Sequence, residues 1–384
     1  MKFSYANKFI KIILFSKFDF FKPKKSKILI FDFQSTHLLL DYFNSEDVEF
    51  IYTRKERINL FVIFCNFIKI KFSTLDYFET YIKFANPNIV ITSIDNATIF
   101  YKLKLNPHQK KIIIASTWRT PVDDFYIFTN ENLKVKVIKD NSYYVDYIFT
   151  LNDAVGRLFK ELGAEKVIPI GSFKSNHFRI VKNKKDLDIV YISSFNNFDS
   201  EKQITDEVDY KKYDNFQIIL LQNILKYIKK NNSTVSVLGK KNNDETVKRE
   251  LEYFNLIFKN ENWNFIKSQD VNPYEIVDRA KIVITLNSTL GYESLSRGNK
   301  TIFFDGRSKI KSLETLKFAW PVEIFGDGPF WTSDLSLSSL EKIIDSLKAM
   351  SDLQWKILTS NYTSKIMLRN NNNDMFKSII GKYI

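Results

Sequence analysis

The chain of 384 residues has one cysteine, three histidines and ten glycines. A lone Cys65 excludes a disulfide framework and a cysteine-based zinc site. The scattered His37, His108 and His177 argue against a histidine metal site. Cys65 lies in the apolar run 61–67 and reads as a buried structural thiol. Neither GxGxxG nor GxxxxGK[ST] occurs, which speaks against a dinucleotide oxidoreductase or a P-loop ATPase. No GxSxG or Cys/His arrangement supports a hydrolase. No uncharged apolar run approaches the roughly 20 residues that span a bilayer. No small-residue cleavage site follows the first segment, so no cleaved signal peptide is expected.

What is present is apolar and basic. Hydrophobic residues make up 44% and aromatics 15%, which excludes a disordered chain. Lys and Arg number 57 against 44 Asp and Glu, a net charge of +13. That excess suits an anionic partner, a phosphorylated substrate or an acidic membrane surface. No nucleic-acid-binding motif accompanies it, and nucleic acid is not expected as a partner. Residues 1–26 mix Phe, Ile and Leu with lysines. They read either as a basic amphipathic segment at a membrane interface or as a first helix packed on the domain.

Apolar strand-like runs alternate with helical patterns. KILIFDF (27–33), NIVITS (88–93) and KIIIAS (111–116) read as buried strands of a parallel sheet, with further strands at 48–52 and 60–64. Helices are expected at 37–43 and 74–85, and from Asn152 to a stop at Gly163. The charged stretch 179–186 reads as a linker, after which the alternation restarts with LDIVYIS (187–193). This length and pattern suit two α/β domains, 27–178 and 187–335, each a doubly wound Rossmann-like sheet. Residues 336–384 read as a C-terminal helical extension, opened by a capping box at Ser338 and Glu341 and ending in a polar, Asn-rich tail.

The most informative stretch is 281–307, KIVITLNSTLGYESLSRGNKTIFFDGR. A buried strand (282–286) runs into Asn287, Ser288 and Thr289, residue types that favour helix starts. A short helix (292–297), a C-cap at Gly298 and a second strand (300–304) follow. Such a turn presents backbone N–H groups and hydroxyls where a phosphate can bind. Five of the ten glycines fall between positions 291 and 328.

The NSTLGYESLSRG segment followed by FGDGPFW (325–331) resembles GT-B-fold glycosyltransferases, and in particular bacterial surface-carbohydrate proteins of lipopolysaccharide or capsule biosynthesis. The resemblance implies two Rossmann-like doubly wound domains facing a central cleft, with the nucleotide-sugar donor on the second and a glycan or lipid-linked glycan acceptor on the first. By position, Asn287, Ser288, Thr289 and the amides near Gly291 would hold phosphate, and Glu293 would reach a ribose or sugar hydroxyl. Ser193, Ser194, Gly239 and Lys240 would line the same site, with Arg307 pairing to phosphate. Asp32 and Asp95, at rigid strand ends, rank ahead of His37 as candidates for the base, and Trp118, Arg119, Asp123 and Asp124 are candidates for the acceptor side. Trp331 would stack on a ring or serve packing. No bound metal or other cofactor is expected. A cytoplasmic protein, peripheral on the inner membrane, follows from this reading. A sugar-nucleotide epimerase of the same fold and a non-catalytic membrane-associated assembly factor remain as alternatives.

Overall fold

In the computed structural model the described residues are 16–33, 37–54, 56–95, 97–115, 126–128, 133–135, 143–181, 184–195, 204–205, 208–306 and 317–384. The chain forms two compact units. One combines residues 1–127, 135–177 and 370–384; the other combines 128–134 and 178–369.

The first unit holds strands β1 (Lys17–Asp19), β2 (Ile28–Phe31), β3 (Val48–Ile51), β4 (Arg57–Asn59), β5 (Ile89–Thr92) and β6 (Lys110–Ile114). Two short strands, β7 (Tyr126–Phe128) and β8 (Leu133–Val135), pair with each other, and their residues 128, 133 and 134 belong to the second unit. β9 (Val145–Thr150) and β10 (Ala164–Pro169) complete the set. Its helices are α1 (His37–Leu40), α2 (Leu60–Ile68), α3 (Thr74–Ala85), α4 (Thr98–Lys102), α5 (Asp153–Glu161) and α6 (Phe173–His177). Six strands form one sheet in the order β10-β9-β6-β5-β2-β3, parallel throughout. The runs ILIF, IVIT and KKIII lack the alternation of a half-exposed strand because both faces of the sheet are covered.

Three local expectations are corrected here. Residues 60–64 are not a strand but the start of α2, where the Asn59 side chain accepts from Val62 N. A short apolar run carries no decisive periodicity, and the cap decides it. Cys65 is only half-buried on that helix, while Asn66 occupies the inward position. Lys17–Asp19 is extended and pairs in parallel with Arg57–Asn59, so this part of the N-terminal segment is not a helix.

The second unit holds β11 (Leu187–Ile192), the small β12 (Ile204–Thr205) and β13 (Val208–Asp209), β14 (Val235–Leu238), β15 (Trp263–Ile266), β16 (Ala280–Thr285), β17 (Thr301–Phe304) and β18 (Trp331–Thr332). Its helices are α7 (Tyr210–Asn231), α8 (Asp244–Phe258), α9 (Pro273–Arg279), α10 (Thr289–Ser296), α11 (Leu337–Ala349) and α12 (Asp352–Ile366). The parallel sheet runs β15-β14-β11-β16-β17-β18, so its strands in chain order read 3-2-1-4-5-6, the Rossmann order. The N-cap of α11 is Ser336, accepting from Ser339 N, in place of the capping box expected at Ser338. The Asn-rich tail is helical at α13 (Asp374–Ile380) and belongs to the first unit. There Phe376 packs on Tyr42, Phe149 and Phe173, with ring centroids 5.6, 5.1 and 4.9 Å away. Residues 336–384 are therefore divided between the two units.

One buried lysine makes the first sheet sensitive to pH. Lys111 in β6 donates from Nζ to the carbonyls of Tyr101 and Leu103, 2.8 and 2.7 Å away at the end of α4. Burial pulls its pKa down to about 8, against the opposing pull of Asp146 and Glu79. The folded state thus binds this proton less tightly than the unfolded chain does. Its penalty is fully present below pH 8 and is relieved as pH rises towards 10.5. Across that window the wild type should gain stability relative to Lys111→Met, measured by urea midpoints. Parallel pH profiles of the two proteins would refute this account.

Candidate functional site

The carboxyl edge of the second sheet gathers most of the residues singled out in the sequence. β11 and β14 end level, with Ile192 opposite Leu238, and β16 lies on the other side of β11 with Tyr191 opposite Ile284. The site-bearing segments after these three neighbouring strands are Ser193-Ser194, Gly239-Lys240 and Asn287-Ser288-Thr289. β11 and β16 flank the point where strand order reverses, where open α/β sheets bind ligands.

A residue not singled out from sequence fixes two of these segments. Glu250 on α8 is fully buried. Its Oε1 accepts a short hydrogen bond from Ser193 Oγ. Its carboxylate also accepts from Lys240 N at 3.0 and 3.1 Å and from Lys241 N at 3.1 Å. Ser193 Oγ in turn accepts from Phe195 N at 3.1 Å. The signal in the sequence is a carboxylate within an apolar stripe, since Val247, Glu250, Phe254 and Phe258 form the buried face of α8. Gly239 is required by close approach, because a Cβ there would lie 2.6 Å from the Phe265 ring.

At the third segment, Thr285 Oγ1 accepts from Ser288 N at 3.2 Å and holds the turn. Ser288 is the N-cap of α10, yet its side chain makes no capping bond, whereas Ser336 and Ser351 both cap with theirs. Its hydroxyl therefore remains available at the helix start. Gly291 plays a packing part. A Cβ would sit 2.5 Å from Thr285 Cγ2 and 3.2 Å from the Phe303 ring, and its N–H already donates to Ser288 O. Asn287 and Thr289 are half-buried, and Glu293 is buried on α10. Lys240 carries an exposed side chain at this edge.

Trp331 is a packing residue. Its ring lies 4.7 Å from Phe318, nearly parallel, and its Nε1 donates to Gly326 O at 2.8 Å. Gly328 lies against the indole so closely that a Cβ would be 2.1 Å from it. FGDGPFW is thus a turn wrapped on its own tryptophan.

In the first unit, Asp32 and Asp95 follow β2 and β5, the neighbouring strands where that sheet reverses its order. Both are buried. Asp32 Oδ2 accepts from Thr53 Oγ1 at 2.7 Å and Arg54 Nε at 3.2 Å, so it ties β2 to the segment after β3. The backbone carbonyl of Asp95 accepts from the Tyr101 hydroxyl at 2.6 Å. His37 opens the short α1 and is exposed. A second histidine, His177, was not proposed from sequence. Its Nε2 faces Asp41 Oδ2 at 3.3 Å and its Nδ1 lies 3.1 Å from the Tyr42 hydroxyl. With both ring nitrogens engaged, it acts as a cross-link between α6 and the end of α1. Trp118, Arg119, Asp123, Asp124 and Arg307 lie outside the described residues. Among the described residues, no group of three or more His, Cys, Asp or Glu is placed to hold a metal ion.

The Glu250 arrangement predicts a specific loss. Glu250→Gln presents an amide N–H₂ to three donors, leaving at least one unpaired at about 1–3 kcal/mol. The expected outcome is a lower melting temperature together with weaker ligand binding at this edge. A variant with wild-type stability would show that the carboxylate does not hold the segments.

Comparison with known proteins agrees with this architecture. The model of a family described as putative O-antigen biosynthesis protein matches residues 112–384. The wall teichoic acid polymerase TagF, in a variant form, superposes with a TM-score of 0.53 at 11% identity, covering 94% of this chain and 89% of that one. The UDP-GlcNAc 2-epimerase of Methanocaldococcus jannaschii, solved with UDP-GlcNAc and UDP, gives 0.52 at 14% identity, covering 94% and 100%. No curated protein matches the chain. At such identities the structural likeness establishes the fold, which is of the GT-B type, and the family match spans well over half of the sequence. The chain belongs to the family of putative O-antigen biosynthesis proteins.

Proposed function

We propose that the chain is a glycosyltransferase that moves a sugar from a nucleotide-sugar donor to a surface-polysaccharide or lipid-linked glycan acceptor. The observation that carries this reading is the convergence of Ser193-Ser194, Lys240 and Asn287-Ser288-Thr289 at the strand-order reversal of a Rossmann-ordered sheet. The first amides of α10 and the uncommitted Ser288 hydroxyl suit a phosphate, whose charge the helix dipole favours. Lys240 adds positive charge at the same edge, and Arg307 would supply more. Glu293 would meet a sugar or ribose hydroxyl. In this reading amides, hydroxyls and basic side chains neutralise the diphosphate without a bound metal.

The candidates for the base that takes the acceptor proton remain Asp32, Asp95 and His37. His37 is the exposed member of the three candidates, while Asp32 and Asp95 are buried. Asp32 is also engaged by Thr53 and Arg54, which leaves its carboxylate committed to local structure. His37 is therefore favoured as the base, the reverse of the order expected from the rigid strand ends. Trp118 and Arg119 are proposed for the acceptor side. The protein would act in the cytoplasm, in peripheral contact with the inner membrane.

Two measurements test the reading. Ser288→Val combined with Thr289→Val should weaken nucleotide-sugar binding about tenfold, a loss of about 1.4 kcal/mol, in buffer containing EDTA and without a change in melting temperature. Unchanged affinity would remove the donor site, and binding that requires added Mg or Mn would remove the metal-free description. In turnover assays at saturating donor and acceptor, His37→Gln should lose about 10²-fold with donor binding intact. If Asp32→Asn or Asp95→Asn loses turnover while His37→Gln keeps it, the base is reassigned. Conversion of donor in the absence of any acceptor would instead identify an epimerase.

A further inference from the structure

Helix α2 turns its polarity inside out. Asn59, Val62 and Asn66 face inward and are buried, whereas Ile63, Phe64, Phe67 and Ile68 are 44, 61, 67 and 64% exposed. The turn beyond the helix adds Ile70 and Phe72, 80 and 72% exposed, and the Phe72 ring rests 6.1 Å from that of Phe67. Phe20 and Phe21 are 66 and 84% exposed. They border the helix start, where Asn59 Nδ2 donates to Phe21 O at 2.9 Å. A pocket of about 350 Å³, walled in part by Ile63, Phe67, Phe72 and Tyr77, adjoins this face. Exposed apolar side chains on this scale mark a surface that meets another apolar phase.

The charge beside the patch is mostly basic. Lys22, next to Phe21 in the chain, Lys25 close by in sequence, and Lys69 at the end of α2 are exposed, while Lys24 reaches Glu46 O and Lys71 is paired with Asp76. The nearby carboxylates are already paired, Asp19 with Arg57 and Asp76 with Lys71. No described helix is long and apolar enough to cross a membrane. We propose that this face is a docking surface for an anionic lipid bilayer. Its aromatic and aliphatic side chains enter the boundary between headgroups and acyl chains, and the lysines lie at the level of the phosphates. The proposal deepens the membrane contact of the functional reading but rests on its own observations. Its readout is vesicle binding and not sugar transfer, so the two can fail separately.

The experiment is flotation of the full chain with phosphatidylcholine vesicles, with and without phosphatidylglycerol, at low and high salt. The wild type should float with the anionic vesicles and be released by salt. Phe64→Ser, Phe67→Ser and Phe72→Ser combined should weaken that binding about tenfold or more, because three exposed rings lose their apolar phase. Its melting temperature should hold, since the rings are largely outside the core. Lys25→Glu with Lys69→Glu should abolish the preference for phosphatidylglycerol while leaving the fold unchanged. The proposal is overturned if the wild type ignores anionic vesicles, or if the folded triple phenylalanine variant binds them as the wild type does. It is equally overturned if the wild type self-associates through this face, shown by a dimer in gel filtration that the triple variant loses, without vesicle binding.

Discussion

The ion pair of Arg297 and Asp278 fixes the frame on which the carboxyl edge of the second sheet is built. Both side chains are wholly buried. Arg297 Nε donates to Asp278 Oδ1 at 2.9 Å, and its two terminal nitrogens also reach the carbonyls of Phe178 and Arg179 at 3.0 and 2.8 Å. Asp278 further accepts from Val181 N and Asn299 Nδ2, each at 2.9 Å. Burying two charges is costly, and only a network that satisfies the remaining donors and acceptors offsets it. Loss of one partner would cost about 3–5 kcal/mol, because the other charge would stay buried alone. Through this pair the end of α10, the end of α9 and the chain entering the second unit are held as one piece. The start of α10, with Ser288 and Thr289, inherits its position from that piece.

The same economy of buried polar groups recurs at Glu250. A carboxylate inside an apolar helix face is tolerated because four hydrogen bonds reach it from two strand-end segments. The consequence is one of placement. Ser193 and the Lys240 backbone are held by a side chain of α8, a placement that would preorganise the proposed donor site. Gly239 and Gly291 contribute by allowing close approach to Phe265, Thr285 and Phe303. Their conservation of space, more than their freedom of backbone angle, explains why glycine stands there.

The first unit follows a different balance at its surface. β2, β5 and β6 bury their side chains almost completely, yet α2 leaves four large apolar side chains in solvent. A helix whose inward face carries Asn59 and Asn66 and whose outward face carries Phe and Ile is costly for a chain surrounded only by water. With Asp19 and Asp76 paired to Arg57 and Lys71, the lysines left beside that face are what the proposed docking to an anionic surface rests on.

Much of this was legible in residue order. Unbroken apolar runs such as ILIF and IVIT announced strands covered on both faces, and Asn152 did cap α5. The NSTLGYE turn was legible because a buried strand, polar cap residues and glycine follow one another within a few positions. Those signals are local, and local geometry settles them. Tertiary structure decided the rest. Residues 60–68 became a helix through the Asn59 cap and packing on α3, a choice that a short apolar run does not make alone. Trp331 was drawn into the core by Phe318 and Tyr362, which are distant from it in sequence. Glu250 found its partners 57 and 10 residues away, and Asp278 found Arg297 on another helix. Which buried charge meets which donor depends on strand order and helix placement, and those are fixed only when the whole unit folds.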